Sequence, residues 1–269
     1  MDYERSQQFS QQYGTTDYNN GEFSRPEVYE YNDFTGGFER QSVVSDHASS
    51  LGSILAKEVI AKSFLFMFAA LLITAFAAYT APGYMLNWLM SSSSNLYILF
   101  GAELAIVLIS NATLAKNNAI LTGVLYTVYS YLTGATLGIV FLAYTKTSIA
   151  GVFLMTAGMF GVMAVYGLIT KRDLSSIGNM LFMGLIGIVI ASVVNLFILH
   201  SSGLEFIISI VGILIFVGLT AYDTQKIKER VAVAHSGNVL TLALAGGFEL
   251  YLDFINLFLK LLRLFGKKK

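Results

Sequence analysis

The sequence lacks cysteine altogether and has few charged residues for its length. Among its 269 residues there is no Cys, and only 13% are Asp, Glu, Lys or Arg. The missing cysteine excludes disulfide scaffolds, thiol nucleophiles, cysteine-based zinc sites and iron–sulfur ligation. Soluble domains average about 25% charged residues. A chain with half that fraction and 55% hydrophobic residues does not form an ordinary soluble fold.

The net charge of zero conceals an uneven distribution. Residues 1–50 hold nine acids and three bases, so this segment carries −6 and the remainder carries +6. The same segment has no aliphatic run longer than Val43–Val44. It offers too little apolar surface to offset the entropy of ordering the chain. We therefore expect residues 1–50 to be a disordered acidic tail and residues 51–269 to be a separate domain.

Apolar stretches of about 20 residues recur from Lys57 onward, and a helix of that length crosses a hydrocarbon core of about 30 Å. The pattern predicts an all-α polytopic membrane domain with seven spans. Proline cannot continue a helix, so Pro82 is expected to end the first span. The spans are expected at 63–82, 96–115, 120–143, 148–170, 177–199, 204–223 and 240–263.

The positions of Lys and Arg predict the orientation, because cytoplasmic loops carry an excess of both. The breaks at 83–95 and 199–203 contain neither residue, whereas bases cluster at 171–172 and 226–230. This distribution places the N-terminus in the cytoplasm and, after seven full spans, the C-terminus outside. The last ten residues nevertheless hold five bases. We favour full crossing against this bias, and a partly re-entrant last helix is the alternative.

Acidic side chains within the spans indicate functional sites, because each costs a few kcal/mol to insert into a membrane. Glu103 lies in the second predicted span, Asp223 ends the sixth, and Glu249 and Asp253 lie in the seventh. Asn256 continues the face that Glu249 and Asp253 share, since residues three or four apart in a helix are neighbours. A polar stripe of this kind must face the bundle interior. The seventh helix is therefore predicted to be central.

The surroundings of these acids limit how their charge can be balanced. No Lys or Arg occurs between residues 63 and 115 or between 173 and 225. Protons, a metal cation or the few bases of the inner loops must therefore neutralise them. For Glu103, a functional role and a structural role are equally open.

Asp223 and Asp253 can approach each other if the sixth and seventh helices are adjacent and antiparallel. Two carboxylates held close in a low dielectric cannot both ionise cheaply, so the pair would share one proton and titrate as a unit. Loss of that proton would push the helices apart, which describes a pH-sensitive gate. With Glu249, the ionised pair would also offer the oxygen ligands that Ca²⁺ prefers. The alternative is a structural hydrogen-bonded pair that fixes the helix register.

Motifs for enzymatic chemistry are missing from the sequence. It has no nucleophile elbow, no phosphate-binding glycine loop and no Walker-type lysine motif. His200 and His235 have no carboxylates at metal-ligand spacing. We therefore expect neither an enzyme nor a resident cofactor, and no nucleic-acid partner. The glycines of the spans, such as Gly134, Gly158 and Gly167, are expected to allow close helix packing within the chain, and a dimerisation face is the alternative.

Two segments carry a resemblance to a known family. Gly218–Lys228, which reads GLTAYDTQKIK, and Leu250–Gly266, which reads LYLDFINLFLKLLRLFG, resemble the bacterial branch of the Bax inhibitor-1 family of membrane proteins. The similarity covers residues 55–269. It implies a seven-helix fold whose last helix is enclosed by the other six.

The resemblance also implies a function. It suggests a pH-sensitive passive calcium leak in the bacterial inner membrane, gated by the aspartate pair Asp223 and Asp253. Glu103 is similar to the acid of the family's second helix, and Lys116 is the one base available near it as a counter-ion. Some bacterial relatives are associated with a membrane AAA protease, so a regulator that binds another membrane protein is the alternative function.

Overall fold

The computed structural model describes residues 30–31, 38–39, 43–92, 94–233 and 239–269. It divides into the units 1–51 and 52–269. In the first unit, strand β1 (Glu30–Tyr31) pairs in antiparallel fashion with strand β2 (Phe38–Glu39). The prediction that residues 1–50 are disordered was wrong for residues 43–50, which are helical and continue into the first span. For the segments 1–29, 32–37 and 40–42 that prediction lies outside the described residues.

Helices account for nearly all of the described chain. Seven of them are long and apolar enough to cross a membrane, and α2 is the short exception. This confirms the predicted all-α fold with seven spans. The helices are α1 (Val43–Thr80), α2 (Pro82–Ser91), α3 (Ser94–Ala115), α4 (Ala119–Leu142), α5 (Lys146–Ile169), α6 (Ser175–Val194, continued by a π-helical turn at Asn195–Leu199), α7 (Ser202–Val233) and α8 (Val239–Phe265).

The break after the first span is itself helical. Pro82 separates α1 from α2 and lies in the first turn of α2. Proline suits this position, because its fixed φ is helical and the first turn has no partner for an N–H group. Tyr84 and Trp88 on α2 are both exposed. Such amphipathic rings favour the headgroup level of a membrane.

Helix α7 extends ten residues beyond its predicted end. The sequence pattern placed Asp223 at the end of the sixth span, but α7 continues to Val233. That boundary was wrong because Lys226 and Arg230, which suggest a loop, are accommodated on the helix by acidic partners. Asp223 therefore lies within a continuous helix.

The last helix occupies the centre of the membrane unit, as predicted. In α8 two thirds of the membrane-crossing window is buried, against 11% in α6. Leu250, Tyr251 and Leu257 have no exposed surface. Helices α4, α5 and α7 pack against α8, and α1 approaches it so closely that a Cβ atom on Gly247 would lie 2.9 Å from the carbonyl oxygen of Ser63.

Helix α8 passes from one end of the bundle to the other. The residues after it pair with the loop between α4 and α5: the Lys269 N–H donates to the Ala143 carbonyl and the Thr145 N–H donates to the Lys267 carbonyl, both at 3.0 Å. A full crossing by α8, which we favoured over a partly re-entrant helix, accounts for this contact, and the crossing stays a prediction. We call the end of the bundle with the start of α8 the inner end, and the end with Phe265 the outer end.

The span glycines have two different environments. A Cβ atom on Gly134 or Gly167 would overlap the carbonyl oxygen of Thr74 or Ala221, respectively, so these glycines allow close contact between helices of the chain as predicted. A Cβ on Gly158 would have no atom within 4 Å. The prediction was therefore wrong for Gly158, which lies on an exposed face of α5.

Candidate functional site

The interface between α7 and α8 carries a continuous polar stripe. On α8 the stripe consists of residues spaced alternately by four and three positions, which places them on one face of the helix. The sequence analysis identified only the inner three members. The stripe consists of Glu249, Asp253, Asn256, Lys260 and Arg263.

Asp223 and Asp253 meet in the inner half of this interface. Their carboxyl groups lie within reach of a shared hydrogen bond. A hydrogen bond between two carboxyl groups requires a proton on one of them, because an ionised carboxylate can only accept. Asp253 is 4% exposed, and its Oδ2 atom has no hydrogen-bond partner among the described residues. The structure thus brings together the two acids that sequence reasoning paired.

Two bases of α7 lie beside the acids. The Lys226 ammonium is 3.8 Å from Asp223 Oδ1 and 3.5 Å from Glu249 Oε1. Arg230 donates two hydrogen bonds to Glu249, with N···O distances of 2.9 and 2.8 Å, and such bidentate pairs are the stronger kind. Sequence reasoning assigned both bases to a loop, but the continuation of α7 puts them one and two turns beyond Asp223.

The charges of this inner cluster balance only when the aspartate pair holds one proton. The cluster consists of Asp223, Asp253, Glu249, Lys226 and Arg230. With one shared proton, two negative charges face two positive charges. Loss of the proton leaves a net charge of −1 in a largely buried place, where unbalanced charge is costly.

Glu249, which we expected to join the ionised pair as an oxygen ligand, has a basic partner in this structure. Glu249 is held by Arg230 instead of joining the two aspartates. Within the described ranges, no group of three or more His, Cys, Asp or Glu side chains could hold a metal ion. Only the pair Asp223 and Asp253 remains as the expected point of contact for a cation.

The other predicted residues lie apart from this cluster. Glu103 on α3 accepts a hydrogen bond of 2.8 Å from the Thr136 hydroxyl on α4. Lys116 is exposed beyond the end of α3, thirteen residues or about 20 Å along the helix axis from Glu103. The structure therefore does not bring Lys116 to Glu103 as a counter-ion. Asn256 donates to the Leu252 carbonyl of its own helix at 2.8 Å.

The outer half of the stripe was missed by the sequence analysis. Arg263 forms an ion pair with Glu205, which lies in the first turn of α7. The side chain of Lys260 lies across Gly212 of α7, with its carbons 3.2 Å from the position of a Cβ on that glycine. The regular spacing beyond Asn256 could have identified both bases, but their closeness to the C-terminus suggested a basic tail.

The loop between α5 and α6 is attached to α7 beside the inner cluster. Gln225 Nε2 donates to the Arg172 carbonyl at 2.8 Å, and Gln225 Oε1 accepts from the Leu174 N–H at 2.9 Å. In the same loop, hydrogen bonds from Ser175 hold the pKa of Asp173 below its ordinary value. A displacement of α7 at Asp223 would therefore act on this surface loop.

Comparison with known proteins assigns the chain to a family. The family model described as "Inhibitor of apoptosis-promoting Bax1" matches residues 56–269, which include all seven membrane-crossing windows except two residues of the first. The chain belongs to the Bax inhibitor-1 family. The resemblance that the two sequence segments suggested is thereby confirmed.

Bacterial relatives of this Bax inhibitor-1 family member cover most of its length. The inner membrane protein YbhL of Escherichia coli is 48% identical over 208 residues, which are 76% of this chain and 88% of the relative. A protein of Rickettsia prowazekii is 43% identical over 77% of this chain and 89% of its own. A protein of Borreliella burgdorferi is 41% identical over 80% and 94%, respectively.

Proposed function

We propose that this family member is a passive cation leak, permeable to Ca²⁺, that closes when Asp223 and Asp253 share a proton. The observation that supports this function most directly is the close pair of carboxyl groups between α7 and the buried face of the central helix. A proton that holds two helices together links the state of the gate to pH. Neither a catalytic role nor a resident cofactor forms part of the proposal, and Ca²⁺ is the transported ion.

The inner cluster supplies the mechanism of opening. At high pH the pair loses its proton, and two carboxylates then repel each other in a poorly solvated place. Among the described residues, the charged groups that act on the pair from its own two helices are Lys226, Arg230 and Glu249. Arg230 stays bound to Glu249, so only Lys226 is available to compensate the lost proton. The helices then separate at the inner end, and the ionised carboxylates attract a cation.

The proposed location is the bacterial inner membrane, with the N-terminus in the cytoplasm. The relative from Escherichia coli is named an inner membrane protein, and seven helices of this chain have the required length and hydropathy. The orientation follows from the excess of Lys and Arg in the breaks at the inner end.

Calcium flux across vesicles tests the gate. The purified protein is reconstituted in liposomes that contain a calcium-sensitive dye, and influx is measured from about pH 5 to about pH 8, where a shared carboxyl proton is lost. We expect wild-type influx to rise with pH. Asp253→Asn and Asp223→Asn remove the shared carboxyl proton, so influx should no longer depend on pH. Asp173→Asn is the matched control, because Asp173 lies in an exposed loop. Identical pH curves for wild type and both dyad variants would refute the mechanism.

A second proposal is a regulator that binds another membrane protein, such as a membrane AAA protease. The observation that favours it is the net charge of −6 on residues 1–50, which suits a basic docking surface. Copurification from membranes with and without residues 1–50 tests it. Loss of a partner together with unchanged ion flux would support the regulator, and retention of the partner would contradict it.

A further inference from the structure

The outer half of the α7–α8 interface contains a lysine without a counter-charge. Arg263 is paired with Glu205. Lys260, one turn deeper on the same face, has neither an ion pair nor a hydrogen bond to any described residue. An ionisable side chain in a membrane span is costly and indicates function. The stripe therefore has a balanced inner cluster and an unbalanced positive charge nearer the outer end.

The stem of Lys260 lies well inside the bundle. It lies against Gly212, ten residues or about 15 Å from the start of α7, whereas Glu205 is only three residues from that start. If Lys260 directed its ammonium to the outer surface, its side chain would reach α7 at the depth of Glu205. Because Gly212 has no side chain, the stem of Lys260 crosses the interface at this depth.

This lysine lies on the straight route between the aspartate pair and the outer end. Gly212 is eleven residues before Asp223 on α7, about 16 Å along the axis. Phe216 and Leu219 continue the same helix face between them, and both are buried. A cation that moved outward along this interface would pass these apolar side chains and then Lys260.

We propose that Lys260 is a tethered positive charge that limits the rate of the leak and slows divalent cations more strongly than monovalent ones. The inference rests on the proposed leak and adds a residue that sets its selectivity. Coulomb repulsion is proportional to the charge of the passing ion. If Lys260 slows K⁺ by a given factor, it slows Ca²⁺ by about the square of that factor.

Removal of the charge should therefore change the two fluxes unequally. For an ion that passes within about 8 Å of the ammonium at an effective dielectric constant of about 20, the factor is about 30 for K⁺ and about 1,000 for Ca²⁺. In Lys260→Met and Lys260→Gln, both fluxes should rise and the ratio of Ca²⁺ to K⁺ flux should increase about 30-fold. Lys260→Arg keeps the charge and should leave the ratio unchanged.

The experiment uses the full-length protein in liposomes, with Ca²⁺ and K⁺ influx measured separately across pH. Lys267→Gln is the matched control, because Lys267 is an exposed lysine after the end of α8. The melting temperature in detergent checks folding, and Lys260→Met should raise it because an unpaired ammonium is removed. Lys260 is seven residues from Asp253, about 10 Å along α8. Loss of its charge should therefore also move the pH midpoint to higher pH by up to about one unit in Lys260→Met and Lys260→Gln, and Lys260→Arg should leave the midpoint unchanged.

The outcomes separate this inference from the proposed gate. An equal increase in both fluxes would indicate loosened packing and overturn the role of Lys260, as would no change in either. If wild-type flux did not depend on pH but the factor for Ca²⁺ were still the square of the factor for K⁺, the aspartate gate would be refuted and the role of Lys260 supported. Absence of flux in wild type and all variants would overturn both.

Discussion

Arg230 and Glu249 form a charge pair whose two halves should shift the gate in opposite directions. Arg230→Met removes one positive charge from the inner cluster and leaves Glu249 with Lys226 at 3.5 Å. Lys226 must then balance the charge of both Glu249 and Asp223, because its ammonium also lies 3.8 Å from Asp223. A more negative cluster holds the shared proton more tightly. The pH midpoint of the calcium flux should therefore move to higher pH.

The magnitude follows from the helix geometry. Arg230 is seven residues from Asp223, about 10 Å along α7. One unit charge at that distance contributes about 1.6 kcal/mol at an effective dielectric constant of about 20, which corresponds to about one pH unit. The lost bidentate contact should also lower stability. Breaking a fully buried pair costs about 3–5 kcal/mol, but these side chains are 33% and 27% exposed, so we expect about 1–3 kcal/mol.

The reverse change provides the control. Glu249→Gln removes a negative charge from the same cluster and should move the flux midpoint to lower pH by a similar amount. The double variant Arg230→Met with Glu249→Gln restores the balance and should return the midpoint close to the wild-type value. Flux curves across pH and thermal unfolding in detergent provide both readouts. If the two single variants shifted the midpoint in the same direction, the charge-balance explanation would be wrong.

Two further predictions concern packing and the surface loop. Gly134→Ala should prevent α1 and α4 from packing, because the new methyl group overlaps the Thr74 carbonyl. We expect the free energy of unfolding to fall by about 3 kcal/mol or more. Gly158→Ala places its methyl group in open space and should be neutral in the same thermal unfolding assay. Gln225→Ala removes both hydrogen bonds to the loop at 170–174 and should increase amide hydrogen exchange in that loop. The free energy of unfolding should fall by about 1–3 kcal/mol. Unchanged exchange would contradict the attachment of the loop to α7.

The sequence was sufficient to predict the number of spans and the central position of α8. Each span is an apolar run of the required length, and the polar face of Glu249 and Asp253 is stable only inside the bundle. The approach of Asp223 to Asp253 could also be anticipated, because adjacent spans are antiparallel. These features depend on local hydropathy and helical spacing, both of which can be read along one chain.

The end of α7 depended on a contact that is distant in sequence. Lys226 and Arg230 look like loop residues until Glu249, which lies about twenty residues later in the chain, is placed opposite them. The charge bias at the C-terminus has a similar explanation. Arg263 forms an ion pair with Glu205 of α7, and Lys260 lies against Gly212. Contacts with α7 thus account for two of the five bases, and Lys267, Lys268 and Lys269 remain as exposed charges after the end of α8.

The central position of the last helix has a consequence for biosynthesis. A ribosome makes α8 after all the helices that surround it, so the first six spans enter the membrane before their common core exists. Until the last 31 residues emerge, α1, α4, α5 and α7 lack the helix against which they pack. A nascent chain that ends before Val239 would be inserted but not packed, and quality-control proteases could distinguish it from the finished protein by that absent core.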